Sequence, residues 1–128
     1  MKKFILVCIA VFAFQFTHAQ YRLAIAKATP QQEFKADKQS KMFTKKLGLN
    51  GEQPLLLKNK LLEFIVKKDE IVQSKDLSKE EKVANLKALR VNELKEMQDI
   101  LTQPQYEQLL EVERNLREKR LEKGKDKN

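Results

Sequence analysis

The only cysteine of this 128-residue chain, Cys8, and its only histidine, His18, both stand in the first nineteen residues. That segment opens with Lys2 and Lys3, runs uncharged and apolar from Phe4 to Phe14, and ends in Thr17-His18-Ala19. A basic start, a short apolar run and small residues ahead of a junction form the pattern of a secretory signal peptide over residues 1–19, cleaved near Ala19/Gln20. The run is too short to span a bilayer comfortably, so no stable membrane insertion is expected after cleavage. Cys8 lies inside the run with no small residue just before it, which argues against a lipid-modified cysteine. Without residues 1–19, no thiol nucleophile, imidazole base, or His or Cys metal ligand remains. The carboxylates are scattered among lysines, no serine stands beside a credible base, and Tyr21 and Tyr106 have packing roles to fill first. The sequence therefore predicts no enzyme, no cofactor and no metal site.

The chemistry that remains is hydrogen bonding to backbone at helix starts. One phrase occurs twice: Leu101-Thr102-Gln103-Pro104-Gln105, within DILTQPQYEQLL, and Leu49-Asn50-Gly51-Glu52-Gln53, within LGLNGEQPLLL. In the second copy along the chain, Thr102 is placed to accept from the backbone N–H of Gln105, while the Gln105 side chain reaches back to the N–H of Thr102. Leu101 then packs on Tyr106 as a hydrophobic staple. Asn50 and Gln53 can do the same for an earlier helix, where Pro54 makes the start less regular. Ser78 with Glu81 is a further S-x-x-E capping box.

A second constellation is cationic. Without Lys2 and Lys3 the chain holds 24 basic and 18 acidic residues, a net charge of +6, and residues 20–50 hold seven basic and two acidic. Lys35, Lys38, Lys41, Lys45 and Lys46 crowd together with Phe34, Met42 and Phe43. Lysines attract acidic surfaces at long range, and flexible apolar side chains accept varied sequences, so these eight are candidate client-binding residues. The plainer reading makes Phe34, Met42, Phe43 and Leu47 core residues and the lysines a solvated face. An exported protein rarely meets nucleic acid, so the expected partner is an acidic protein surface or an anionic envelope component.

Prolines and glycines mark the elements that must hold these groups. Thr29-Pro30 with Gln32 starts a helix, and Gly48 ends it. Pro54 and Pro104 start two more, and no Gly or Pro lies between them. The spacing predicts an all-α protein with helices near 30–47, 52–73, 79–101 and 103–121. These form a helical domain over 30–121, between a loose arm at 20–29 and a charged tail at 122–128, with Gly124 past the last helix. Val83, Leu86, Leu94, Met97, Ile100 and Leu101 form the core stripe of the third helix. Arg90 interrupts it, either snorkelling over apolar surface or pairing with a partner helix. The second helix is apolar over more than half its circumference, from Leu55, Leu56 and Leu57 to Ile71 and Val72. That width predicts burial on two sides and a homodimer.

The repeated phrase resembles the LTxxQ motif of the Spy/CpxP-like family of small periplasmic proteins. The copy at 101–105 matches fully, and the copy at 49–53 has Asn50 for Thr. Residues 37–47 resemble the family's lead-in to the first motif and residues 76–82 its mid-hairpin turn, so the likeness covers about residues 36–120. It implies a kinked, elongated helical hairpin that dimerises into a cradle. It also implies ATP-independent holding of unfolded or partly folded envelope proteins, or a part in envelope stress response. Metal-sensing relatives bring His, Met or Cys ligands. Only Met42 and Met97 remain here, so that branch does not fit. The alternative is a regulatory adaptor for one envelope partner, such as a sensor kinase domain.

Overall fold

The computed structural model describes residues 27–125. The signal-peptide reading of residues 1–19, the first part of the expected arm and the last three residues of the tail lie outside them. The described chain is four α-helices: α1, Pro30–Leu47; α2, Gln53–Gln73; α3, Lys79–Ile100; and α4, Gln103–Lys125. No helix among the described residues is long and apolar enough to cross a membrane.

Each helix starts and stops for a local chemical reason. Thr29 and Gln32 close a reciprocal capping box ahead of Pro30, satisfying donors that the first turn leaves without partners. α1 ends at Gly48, whose φ of 63° is left-handed. The next amide, of Leu49, then turns back to the Thr44 carbonyl at 3.1 Å. That is a Schellman closure, and its apolar residue, Leu49, is buried in the core. Gly51, with φ 59°, makes a second turn before α2. Ser78 and Glu81 cap α3 through bonds of 2.7 and 3.2 Å. The C-terminus of α2 is met by Lys82, whose ammonium donates to the Val72 carbonyl at 2.8 Å.

α4 departs from its expected end. It continues through Gly124 to Lys125 instead of stopping at residue 121. Glycine permits a left-handed stop but does not force one.

α2 is the centre of the fold. It packs against α1 on one side and α3 on the other, and α4 returns to touch α1 as well as α3. α1 presents Ala36, Ser40, Phe43 and Leu47 inward at helical spacing. Ala36, Phe43 and Leu47 join Leu57, Leu61, Leu62, Ile65 and Val66 of α2, with Leu49, Met97, Leu101 and Leu109 completing one cluster, while the Ser40 hydroxyl donates to the Pro54 carbonyl at 3.1 Å. Every residue from Leu61 to Val66 is buried within this single chain. The middle of α2 thus builds the core of the single chain between two neighbours, while Leu55, Leu56 and Val72 at its ends stay exposed.

α3 differs from expectation in the opposite direction. Of its apolar stripe only Met97 and Leu101 are buried; Leu86 and Leu94 are half-buried, and Val83 is 52% exposed. α2 is the main neighbour of α3 and α4 touches it only slightly, so part of α3 stays uncovered among the described residues.

Candidate functional site

The two copies of the repeated phrase meet in space. Gln53 and Gln105 exchange hydrogen bonds through their side-chain amides: Nε2 of Gln53 donates to Oε1 of Gln105 at 2.7 Å, and the reverse bond is 3.3 Å. Each Oε1 also accepts the backbone N–H three residues earlier, that of Asn50 at 3.3 Å and that of Thr102 at 3.0 Å. Gln53 Nε2 further donates to the Ile100 carbonyl at 3.1 Å, one of the carbonyls a helix end leaves open. The junctions between α1 and α2 and between α3 and α4 are thereby fastened to each other.

The two caps are not alike. The Thr102 hydroxyl accepts from the Gln105 N–H at 3.4 Å, and Leu101 and Tyr106 both belong to the core or pack on it. Asn50 offers its backbone carbonyl, not its side chain, to the Gln53 N–H at 3.2 Å. Its side chain makes no cap bond among the described residues, and α2 starts three residues after it. The left-handed Gly51 and Pro54 set that geometry: the turn tightens before the helix begins, so a side-chain cap from Asn50 has no amide to receive.

The eight candidate client-binding residues on α1 separate into two sides. Phe43 is buried in the core, and Met42 is half-buried against it. The helical spacing shared with Ala36 and Leu47 places Phe43 inward, whereas Met42 keeps part of its surface exposed. Phe34, Lys35, Lys38, Lys41, Lys45 and Lys46 are exposed. Lys41 pairs with Asp37 at 2.7 Å, and Asp37 also holds Lys58 of α2 at 3.2 Å. These two bonds hold the Asp37 carboxyl below its ordinary value.

Charged side chains tie the helices together elsewhere. Glu63 is buried and accepts from Lys67 at 2.6 Å and from Lys60 at 3.0 Å, and Lys60 reaches Glu96 of α3. Burial pushes the Glu63 carboxyl up, but the two ammonium groups outweigh it and hold it below the usual value. Arg90 bridges Glu93 on its own helix and Glu113 on α4. Of the two sequence readings of Arg90, the cross-helix ion pair is the one adopted. Glu93 has its pKa raised, chiefly by burial and against the pull of Arg90. No group of three or more His, Cys, Asp or Glu able to hold a metal ion occurs among the described residues.

Sequence reading missed one surface. Between the last turns of α2 and the middle of α3 runs an open groove of about 460 Å³. Ile71, Leu77, Ala88 and Leu89 line it, with Lys67 and Glu70 among its polar members. The signal was present as apolar residues on a second side of α3, but it was masked by the stronger stripe at Val83, Leu86 and Leu94. No residue of α1 lines the groove, although Glu70 on its rim also lines a pocket that includes Lys35. No family model, curated protein or solved structure matches this chain.

Proposed function

We propose that this protein is an exported, ATP-independent holder of unfolded or partly folded envelope proteins. The observation that carries the reading is the groove between α2 and α3, where Ile71, Leu77 and Leu89 are only half-buried and Ala88 is exposed. An open apolar trough bordered by charged residues accepts extended segments of varied sequence, since burial of apolar area is not directional. The cations of α1 add long-range attraction for acidic chains. The resemblance of the Gln53 and Gln105 phrases to the LTxxQ motifs of the Spy/CpxP-like proteins supports the same reading, and so does a signal-peptide pattern that directs the chain to the periplasm. In this reading the mutually fastened motifs are the bend of a kinked hairpin.

Assembly as a cradle-shaped homodimer belongs to the proposal. The surface that a second copy would cover is the open side of α3, at Val83, Leu86 and Leu94, in place of the Leu61–Val66 stretch of α2 that the core already buries.

Aggregation of two unrelated unfolding proteins, followed by light scattering, tests the reading. Wild-type protein suppresses both, and Ala88→Arg, which fills the trough from an exposed helical position, loses most of that effect while keeping its helicity. Suppression of neither client defeats the proposal. Suppression of only one points to the dedicated adaptor.

A further inference from the structure

The outward side of α1 carries a pattern that the core does not bury and that lines no part of the groove. Ala36, Ser40, Phe43 and Leu47 face inward with spacings of four, three and four. Phe34, Lys38, Lys41 and Lys45 repeat those spacings two residues earlier, which rotates them about 200° around the helix, to the opposite side. Phe34 is 70% exposed there, the most exposed large apolar side chain among the described residues. Lys35, Lys38, Lys45 and Lys46 make no ion pair among the described residues. The imbalance is local: residues 20–50 carry seven basic and two acidic residues, whereas 51–77 and 78–102 each carry five and five.

We infer that this face of α1 seats the protein on an anionic lipid bilayer, with Phe34 entering the boundary between headgroups and acyl chains and the lysines meeting lipid phosphates. A single exposed aromatic ring on a convex helix cannot enclose a peptide, for it has no facing wall. It can enter a soft, planar interface, where an aromatic ring is at home. The stripe from Phe34 to Lys45 runs about 17 Å along the helix, so its cations reach several headgroups at once. Each such cation adds attraction to an anionic surface, and one buried ring adds apolar area, the two signals that surface-bound helices combine. No residue of α1 lines the groove, so seating α1 does not fill it.

The test exploits a sequence with no tryptophan. Phe34→Trp is placed in the chain starting at Gln20, which keeps every described residue of the fold and is checked for helicity first. Its fluorescence shifts to the blue with vesicles rich in phosphatidylglycerol and not with phosphatidylcholine alone. Cosedimentation with the same vesicles falls roughly tenfold or more for Lys38→Glu with Lys45→Glu. It also falls several-fold for Phe34→Ser. It stays near wild type for Lys87→Glu with Lys95→Glu, an equal charge change on α3. Raised salt weakens wild-type binding, because screening at about 0.15 M cuts electrostatic reach to about 8 Å. Unshifted fluorescence of the Phe34→Trp variant on anionic vesicles, or equal loss in both double variants, overturns the inference. Binding to polyglutamate but not to vesicles, with loss in the α1 pair alone, also overturns it and assigns the face to acidic proteins.

Discussion

Gln53 and Gln105, separated by 52 residues in the chain, bond to each other through both side-chain amides, at 2.7 and 3.3 Å. Each also holds its own helix start by accepting the N–H three residues before it. One residue type thus performs two jobs at once, and the second depends on the first: the local bond fixes the rotamer that makes the distant bond possible.

Coupling between the two is the first prediction. Gln105→Ala removes a cap bond and a cross-link and costs about 1–2 kcal/mol. The double variant with Gln53→Ala costs less than the sum of the singles, with a coupling of about 0.5–2 kcal/mol in urea unfolding. Thr102→Ala costs about 0.5–2 kcal/mol without such coupling to Gln53, because its hydroxyl serves only the local turn. Additive singles at Gln53 and Gln105 would show that the amide pair carries no energy of its own.

Two phenylalanines of one helix have opposite roles. Phe43 is 4% exposed and Phe34 70%. Phe43→Ala leaves a cavity and costs about 3–5 kcal/mol, whereas Phe34→Ala changes stability by no more than about 0.5 kcal/mol. Thermal melts followed by circular dichroism read both. Comparable losses at the two sites would refute the division of α1 into a core side and a free side.

Acid sensitivity follows from the carboxylates with displaced pKa values. Glu63, Asp37 and Glu81 are all held below their ordinary values, Glu63 by its lysines against burial and Glu81 by the Ser78 cap. For a depressed carboxylate the unfolded chain takes up its proton first as pH falls. The stabilisation is therefore full above the unfolded value, near 4.5 for Glu63, and lost as pH falls through the lower folded value. Glu63→Gln costs about 2 kcal/mol at pH 7 and flattens the fall in melting temperature below pH 4.5. Glu93 has the opposite sign: its raised value means that the folded state takes up the proton first, a gain on acidification. Glu93→Gln should therefore steepen the acid loss. Parallel melting curves for the wild type and both variants from pH 7 to 3 would contradict this assignment.

Self-association is tested at α3. Val83 is 52% exposed, so Val83→Lys is tolerated by the monomer within about 0.5 kcal/mol. In the proposed dimer it places a charge in an apolar contact. Sedimentation at micromolar concentration should show a wild-type dimer and a Val83→Lys monomer of the same helicity. A wild-type monomer would remove the dimer from the proposal.

The sequence alone determined where the helices lie. Capping boxes at Thr29–Gln32 and Ser78–Glu81, prolines at helix starts and the left-handed Gly48 act within a few residues, so they can be read without knowing what packs on what. The pairing of Gln53 with Gln105 was not legible, because nothing local reveals that two helix starts face each other. Nor was the fate of the apolar surfaces. The apolar residues of α2 from Leu55 to Val72 looked like too much for one packing face; Leu61–Val66 became the centre of the core, while Leu55, Leu56 and Val72 stayed exposed. The stripe of α3 looked like core and remained half open. Periodicity states which residues share a face; only the tertiary arrangement decides whether that face has a neighbour. The same holds for α1, where one lysine-rich run contains both Phe43, which the core required, and Phe34, which it left to the solvent.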